Sequence, residues 1–314
     1  MVKVFLLIVV GLAGDPTHAE MFQKWGSQLA DSAEKLGVTS DRLIYLVDQP
    51  TADGETRTVD DKRITGEATQ ATVVKAFDQL AAQAGPDDVV FVTLIGHGTF
   101  AGKEAKYNLR GPDMTAANFN PLLAKLKSKQ VVFVNTTSAS GPFVAELSGP
   151  GRTIVTATRN GAETYDTLFA GHFIDALTAE AADQDKNRRI SVSEAFQYAT
   201  AQVARAYERE GLLMTEHALL DDDGDKEGTQ KLAATTKDGK ASGLLALGSI
   251  ETGAAATDPK IAALYTERRE MERRVEILRL QKENMDAARY NSELEKLALA
   301  IARKTQEIRA AEKK

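Results

Sequence analysis

The sequence predicts an α/β protein, a mainly parallel β-sheet covered by helices on both faces, followed by a C-terminal helical hairpin. Three observations predict it. Apolar, β-branched runs of strand length alternate with amphipathic helical stretches through residues 1–228. Those runs are nearly continuous in apolar character, which marks strands buried on both faces. From residue 258 onward spaced aliphatics among charges replace that pattern.

The elements follow in order. An apolar strand over residues 2–10 opens the chain. Lys3 before an apolar run is also how an export signal begins, but this run is short, ends at Gly11 and leads into a helical pattern, so it reads as the first buried strand. A removed export signal is consistent with that start. "HAEMFQKWGSQLADSAEKLG" is an amphipathic helix with Gly37 as its C-cap, and "RLIYLVD" is the second strand. "ATQATVVKAFDQLAAQAG" repeats the helix-then-glycine pattern, and "DDVVFVTLIGHG" is the third strand. "TAANFNPLLAKLK" is a helix, "QVVFVNTTSASG" the fourth strand and "RTIVTATRNG" the fifth. A βαβ series of this kind builds a parallel sheet, with function gathered at the carboxyl ends of its strands near a switch in strand order.

Composition removes several chemistries. With 314 residues, 43% of them hydrophobic, the chain can bury one good core and a smaller element. A formal charge of −6, with no basic cluster outside the C-terminal segment, argues against a nucleic-acid surface. There is no cysteine, hence no disulfide, thiolate metal site or thiol nucleophile. No apolar stretch reaches the ~18 residues of a membrane span. Small molecules, proteins and cations remain as partners.

Two strand ends carry chemistry. "GHGTF" sets His97 between glycines that permit a sharp turn, and the fourth strand runs out into small hydroxyl residues at Thr136, Thr137 and Ser138. His18, His172 and His217 lack such punctuation and read as structural. The order of "GEATQATVVKAFDQLAAQAGPDDVVFVTLIGHG" and "LLAKLKSKQVVFVNTTSASGPF" resembles the caspase-like peptidases, most closely the legumain-type (C13) branch. The resemblance implies a caspase-like α/β/α sandwich with the catalytic histidine at His97. It sets Ser138, in "SASG", where the family carries its nucleophilic cysteine. It also implies an oxyanion hole from the backbone amides of Gly98 and Ser138, and a specificity wall at "TATRNGAETYD" that includes Arg159, Glu163 and Asp166.

The serine changes the expected chemistry. A thiolate forms readily beside a histidine, whereas a hydroxyl needs a base in contact and a third group to orient that base. Glu67, Glu104 and Asp113 lie on adjoining segments as candidate orienters. The preferred expectation is a peptidase fold without efficient peptidolysis, acting as a peptide- or protein-binding scaffold. A Ser138–His97 hydrolase and a cysteine peptidase changed to serine are the alternatives.

A second constellation is independent of the resemblance. "DQDKNRRISVSE", residues 183–194, has the spacing of an EF-hand calcium loop. Asp183, Asp185 and Asn187 fall at positions 1, 3 and 5, the Arg189 carbonyl at 7, Ser191 at 9 and Glu194 at 12, all oxygen donors suited to Ca²⁺. Arg188 stands where a glycine is usual, and the same residues can serve simply as a helix cap and turn. A modest calcium loop works best where calcium is abundant, which favours an extracytoplasmic setting. The acidic "DDDGDKEG", residues 221–228, has no closing glutamate in register and reads as a polar turn.

Residues 229–257, rich in Ala, Gly and Thr, read as a linker with a short strand at "GLLALGSI". Residues 258–314 then form a helical hairpin or coiled coil. Ile261, Leu264, Met271, Val275, Leu278 and Met285 stripe one helix, and Leu294, Leu297, Ile301 and Ile308 the other. Two helices alone are marginal, so self-association or partner docking through this segment is expected.

Overall fold

The computed structural model describes residues 3–35, 38–48, 51–52, 55–56, 61–187, 189–249, 258–280 and 285–312. Gly37 and Arg188 lie outside the described residues. The chain forms two units, Met1–Ser249 and Ile250–Lys314.

In the first unit β1 (Val4–Val10) leads into α1 (Pro16–Lys35), β2 (Leu43–Val47) and the short β3 (Thr51–Ala52), β4 (Glu55–Thr56) and β5 (Gly66–Glu67). After α2 (Gln70–Gln83) and β6 (Val89–Ile95), the strands β7 (Gly98–Ala101), β8 (Glu104–Tyr107) and β9 (Met114–Thr115) make a small antiparallel sheet. Then come α3 (Ala116–Ala124), β10 (Gln130–Asn135), α4 (Phe143–Leu147), β11 (Arg152–Thr156) and α5 (Phe169–Ala176). The unit ends with β12 (Arg189–Ser191), α6 (Val192–Glu210), β13 (Leu219–Asp221) and β14 (Ala246–Ser249).

The main sheet has seven strands in the order β13-β11-β10-β6-β1-β2-β5. Every pairing in it is parallel except that of β13 with β11. Its strands are buried on both faces, as their continuous apolar character requires. Phe5, Leu7 and Val9 of β1 share a core with Phe77 of α2, Phe119 of α3, Phe133 of β10 and Phe143 of α4. On the opposite face Val10 of β1 and Tyr45 of β2 lie against Gly26 of α1. Phe169 and Phe173 of α5 stack there at 5.5 Å between ring centroids, with Phe196 of α6 edge-on to Phe169. This is a three-layer α/β/α sandwich.

The chain leaves β1 toward β2 on one side and later fills β6, β10 and β11 on the other, so the switch in strand order falls at β1 and β6. Tyr107 of β8, fully buried, shares its one hydroxyl hydrogen between the carbonyls of Val9, at 2.8 Å, and Ile95, at 3.0 Å, and so ties both strand ends at that switch.

The expected linker from residue 229 is shorter than its composition suggested. Thr229 bridges Leu220, Asp238 accepts from the Asp222 amide and the Thr229 hydroxyl, and β14 pairs with β12. Backbone pairing thus carries residues 229–249 into the first unit, and only 250–257 are left, outside the described residues.

In the second unit α7 (Pro259–Leu280) and α8 (Ala287–Glu312) form an antiparallel hairpin. Ile261 and Tyr265 of α7 bury against Ile308 of α8, and Lys304 pairs with Glu267 across the helices at 2.7 Å. Leu294, Leu297 and Ile301 are half-buried, and Leu299 is exposed. Among the described residues no helix is long and apolar enough to cross a membrane.

Candidate active site at the carboxyl edge of the sheet

The tips of β1, β6 and β10 and the loop after β11 meet at the switch point, where the strand-end rule places ligands. The loop after β1 supplies Asp15, and the first turn of α1 supplies His18. Asp15 Oδ1 accepts from the amides of Thr17 at 2.9 Å and His18 at 3.0 Å, and Pro16 follows it, so "DPTH" is an N-cap with proline in the first turn of α1. That cap sets His18 against the tip of β6. The two imidazoles meet edge-on with centroids 4.8 Å apart, and Phe22 lies 5.1 Å from the His97 ring.

His97 has both ring nitrogens engaged. Nε2 lies 3.0 Å from the Ala13 carbonyl, and Nδ1 lies 3.2 Å from Asp166 Oδ1. A carbonyl only accepts, so Nε2 carries the hydrogen and donates it. Asp166 also reaches back with Oδ2, 3.2 Å from His18 Nε2, while His18 Nδ1 sits 2.5 Å from Asp15 Oδ2. A line of contacts therefore runs Ala13, His97, Asp166, His18, Asp15. The Asp15 hydrogen bond is the main cause that raises the His18 pKa above its ordinary value, and Asp166 adds to it.

Ser138 is buried and points elsewhere. Its hydroxyl donates to the Gly98 carbonyl at 2.9 Å and accepts from the Gly98 amide at 3.3 Å. Among the described residues no hydrogen bond joins Ser138 to His97. The Gly98 amide, expected to face an oxyanion, is directed at the serine oxygen. A side chain on Gly98 would meet the Ser138 carbonyl at 2.1 Å, so this closeness requires glycine. After Ser138 the chain turns sharply. Ala139 takes a left-handed φ of 54°, unusual for a residue with a Cβ, and its amide donates to the Glu163 carbonyl at 2.7 Å.

Of the three residues expected to form one specificity wall, Arg159 and Glu163 stay together as an ion pair and Asp166 is engaged elsewhere. Asp166 joins the histidines, held there by Thr167, whose hydroxyl donates to the Thr136 carbonyl at 2.7 Å. Glu163 is buried as a clamp. It accepts from the Arg159 amide at 2.9 Å, pairs with the Arg159 guanidinium at 3.0 Å, and meets His217 Nδ1 at 2.6 Å. Its charge is spent inside the protein. None of the three carboxylates proposed as orienters reaches His97: Glu67 pairs with Arg110 at 3.1 Å, Asp113 accepts from the Leu109 amide at 3.1 Å, and Glu104 is exposed on β8. Sequence reasoning missed His18 as a site residue, although its place at the start of the helix that follows β1 was a usable signal.

His97, Ser138, Asp166, His18 and Trp25 line a cavity of about 10 Å³, room for about one water. A larger cavity of about 380 Å³ lies away from these residues, between α6 and residues 230–232, lined by Gln197, Ala201, Val203, Glu216 and Leu232. Burial pushes Glu216 at its wall up to about 7.

The EF-hand-like loop also has a defined shape. Asp183, Asp185 and Glu194 each bring one carboxylate oxygen within 4.8 Å of the other two. Ser191 and Glu194 form the capping box of α6, Ser191 Oγ accepting from the Glu194 amide at 3.2 Å and Glu194 Oε2 from the Ser191 amide at 2.9 Å. Asp183 and Asp185 both accept from the Asn187 amide at 3.0 Å, and the Asn187 side chain accepts from the Arg189 amide at 2.7 Å. Although the residue surface of Asp185 is open, loss of water around its carboxyl, then the charges of Glu194 and Asp183, push it up to about 6.

Comparison with known proteins adds a family. No curated protein matches the chain. Among solved structures, the Drosophila initiator caspase Dronc is 11% identical over 73% of this chain and 82% of its own, with a TM-score of 0.43. Protein GSU0716 from Geobacter sulfurreducens is 12% identical over 70% of this chain and 92% of its own, with a TM-score of 0.42. The sequence profile of the Peptidase C13 family matches residues 57–219, just over half of the chain and the span that holds His97, Ser138 and Asp166. By that match, the chain belongs to the peptidase C13 family.

Proposed function

We propose that this C13-family protein does not cut peptides efficiently and acts as a peptide- or protein-binding scaffold. The observation that supports it is the direction of two sets of hydrogen bonds. In a serine hydrolase the imidazole holds its orienting carboxylate with one nitrogen and the serine with the other. Here Nδ1 of His97 has a carboxylate, Asp166, but Nε2 is bound to the Ala13 carbonyl, and Ser138 is bound twice to Gly98. The nucleophile and the base are each held by backbone. The active-hydrolase alternative draws on Asp166, 3.2 Å from His97 Nδ1, which orients the ring as a base only when Nδ1 carries the hydrogen.

Incubation of the full chain with a mixed peptide library and with a serine-reactive fluorophosphonate probe tests the proposal. Neither cleavage nor labelling is expected. Ser138→Cys is expected to remain inactive as well, since the space beside it admits about one water. Wild-type turnover that is lost in both Ser138→Ala and His97→Ala would refute the scaffold reading.

The loop at 183–194 supports a second proposal, a bound Ca²⁺ that stabilises the first unit. Asp183, Asp185 and Glu194 supply carboxylates, with Asn187, the Arg189 carbonyl and Ser191 at the remaining ligand positions. A higher melting temperature in Ca²⁺ than in chelator is expected, and Asp183→Asn should remove the difference. The hairpin of α7 and α8 is the proposed site of self-association or partner docking.

A further inference from the structure

The scaffold reading leaves unexplained why two histidines converge on one carboxylate. His18 Nε2 and His97 Nδ1 lie 3.2 Å from the two oxygens of Asp166, and one ligand atom from each of these residues sits within 4.8 Å of the others. The far nitrogen of each ring is committed outside this group. His97 Nε2 donates to the Ala13 carbonyl at 3.0 Å, and His18 Nδ1 meets Asp15 Oδ2 at 2.5 Å. Both outer partners accept hydrogen, so in each neutral ring the inner nitrogen turns a lone pair toward Asp166. Two lone pairs and an anionic carboxylate then face one another. Two added protons or one shared cation would relieve the repulsion.

We propose that His18 Nε2, His97 Nδ1 and the Asp166 carboxylate bind a divalent transition-metal ion of the zinc class. The donor chemistry supports the choice of ion. Imidazole nitrogen with one carboxylate suits zinc and its neighbours, whereas Ca²⁺ takes oxygen ligands, so this site differs in kind from the loop at 183–194. The spacing also fits. Zinc bonds of about 2.0–2.1 Å in a tetrahedron place ligand atoms about 3.3 Å apart, against the 3.2 Å found for both histidine–carboxylate pairs. The outer hydrogen bonds are a separate observation. A histidine that ligates a metal usually gives its other ring hydrogen to a carboxylate or a backbone carbonyl, which fixes its tautomer and aim. Asp15 does this for His18, and Ala13 for His97. The three ligands line one small cavity with Ser138 and Trp25, so they face a common space. The proposal does not depend on whether peptides are cut.

Calorimetric titration of the chelator-treated, dialysed full-length protein with ZnCl₂, and separately with CaCl₂, tests it. One equivalent of Zn²⁺ is expected at this site, with binding weakened at least about tenfold in His18→Ala and in Asp166→Ala. Asp15→Asn, which keeps the helix cap, should weaken binding by about tenfold through the orientation of His18. Glu194→Gln should bind Zn²⁺ as the wild type does. Co²⁺ added to the wild type should give visible d–d absorption that Zn²⁺ abolishes, a readout that requires no variant to fold. Absence of that absorption, no Zn²⁺ binding by the wild type, or unchanged binding in both His18→Ala and Asp166→Ala would overturn the proposal. Peptide turnover is measured separately, so failure of the scaffold reading and failure of the metal site are told apart.

Discussion

At the scale of single residues, Ser138 is the position where structure and chemistry part. Its hydroxyl satisfies both the amide and the carbonyl of Gly98 in a buried setting, as a strut between the start of β7 and the turn after β10. Ser138→Ala removes both bonds, and leaving buried backbone polar groups unpaired costs about 1–3 kcal/mol. Denaturant unfolding of that variant should show a loss in this range, and an unchanged midpoint would remove the structural role. Asp185 carries a pH dependence. Its carboxyl is raised from 3.8 to about 6, so its contribution to stability is complete below 3.8 and is lost as pH rises through about 6. Without calcium, melting temperatures of the wild type should therefore fall relative to Asp185→Asn as pH rises from about 4 to about 6. Ca²⁺ needs the deprotonated carboxylate, so its affinity, read by calorimetry, should weaken as pH falls below about 6.

At the scale of elements, the loop at 183–194 caps a helix, and the proposed calcium site would give the same residues a second role. Ser191 and Glu194 cap α6 by their side chains alone, a role that needs no ion. Ser191→Ala should cost about 0.5–2 kcal/mol in chelator, as loss of a helix cap does. Asp183→Asn leaves that box intact, so it should alter the calcium-dependent part of the melt and little else. A calcium shift that survives Asp183→Asn would mean that the stabilising ion sits elsewhere. The β10 strand is an element of another kind. Phe133 stacks on Phe143 with centroids 6.3 Å apart and sits edge-on to Phe119 at 5.2 Å, so its burial anchors the strand that ends at Ser138.

At the scale of the whole molecule, the chain divides at Ser249 into two units with separate cores. A chain ending at Ser249 should melt cooperatively within about 4 °C of the full length, a shift that corresponds to about 1 kcal/mol in a domain of this size. Loss of the cooperative transition would show that the hairpin is part of the first unit's core. If the hairpin is the site of self-association, sedimentation of the full chain should show a concentration-dependent assembly that the shorter chain lacks. Equal sedimentation behaviour of the two chains would remove that role.

The layered sheet was legible in the residues because a strand buried on both faces has to be apolar throughout, and each such run in "VFLLIVV", "LIYLV", "VVFVTLI" and "VVFVN" is a strand. His97 and Ser138 were legible as strand tips, since their neighbours are the glycines and small residues that turns need. The partners of His97 were not. Asp166 follows β11 and His18 opens α1, far from His97 in the chain, and only the switch in strand order at β1 and β6 brings Asp166 within 3.2 Å of both histidines. The extent of the first unit was hidden for the same reason, because the Ala- and Gly-rich composition of residues 229–249 does not reveal that β14 pairs with β12. Periodicity and turn chemistry are local, so the sequence determined the layers and the tips. Hydrogen-bond direction is set by what stands across the gap, so the tertiary structure alone decided that His97 faces Asp166 and Ala13, and that Ser138 faces Gly98.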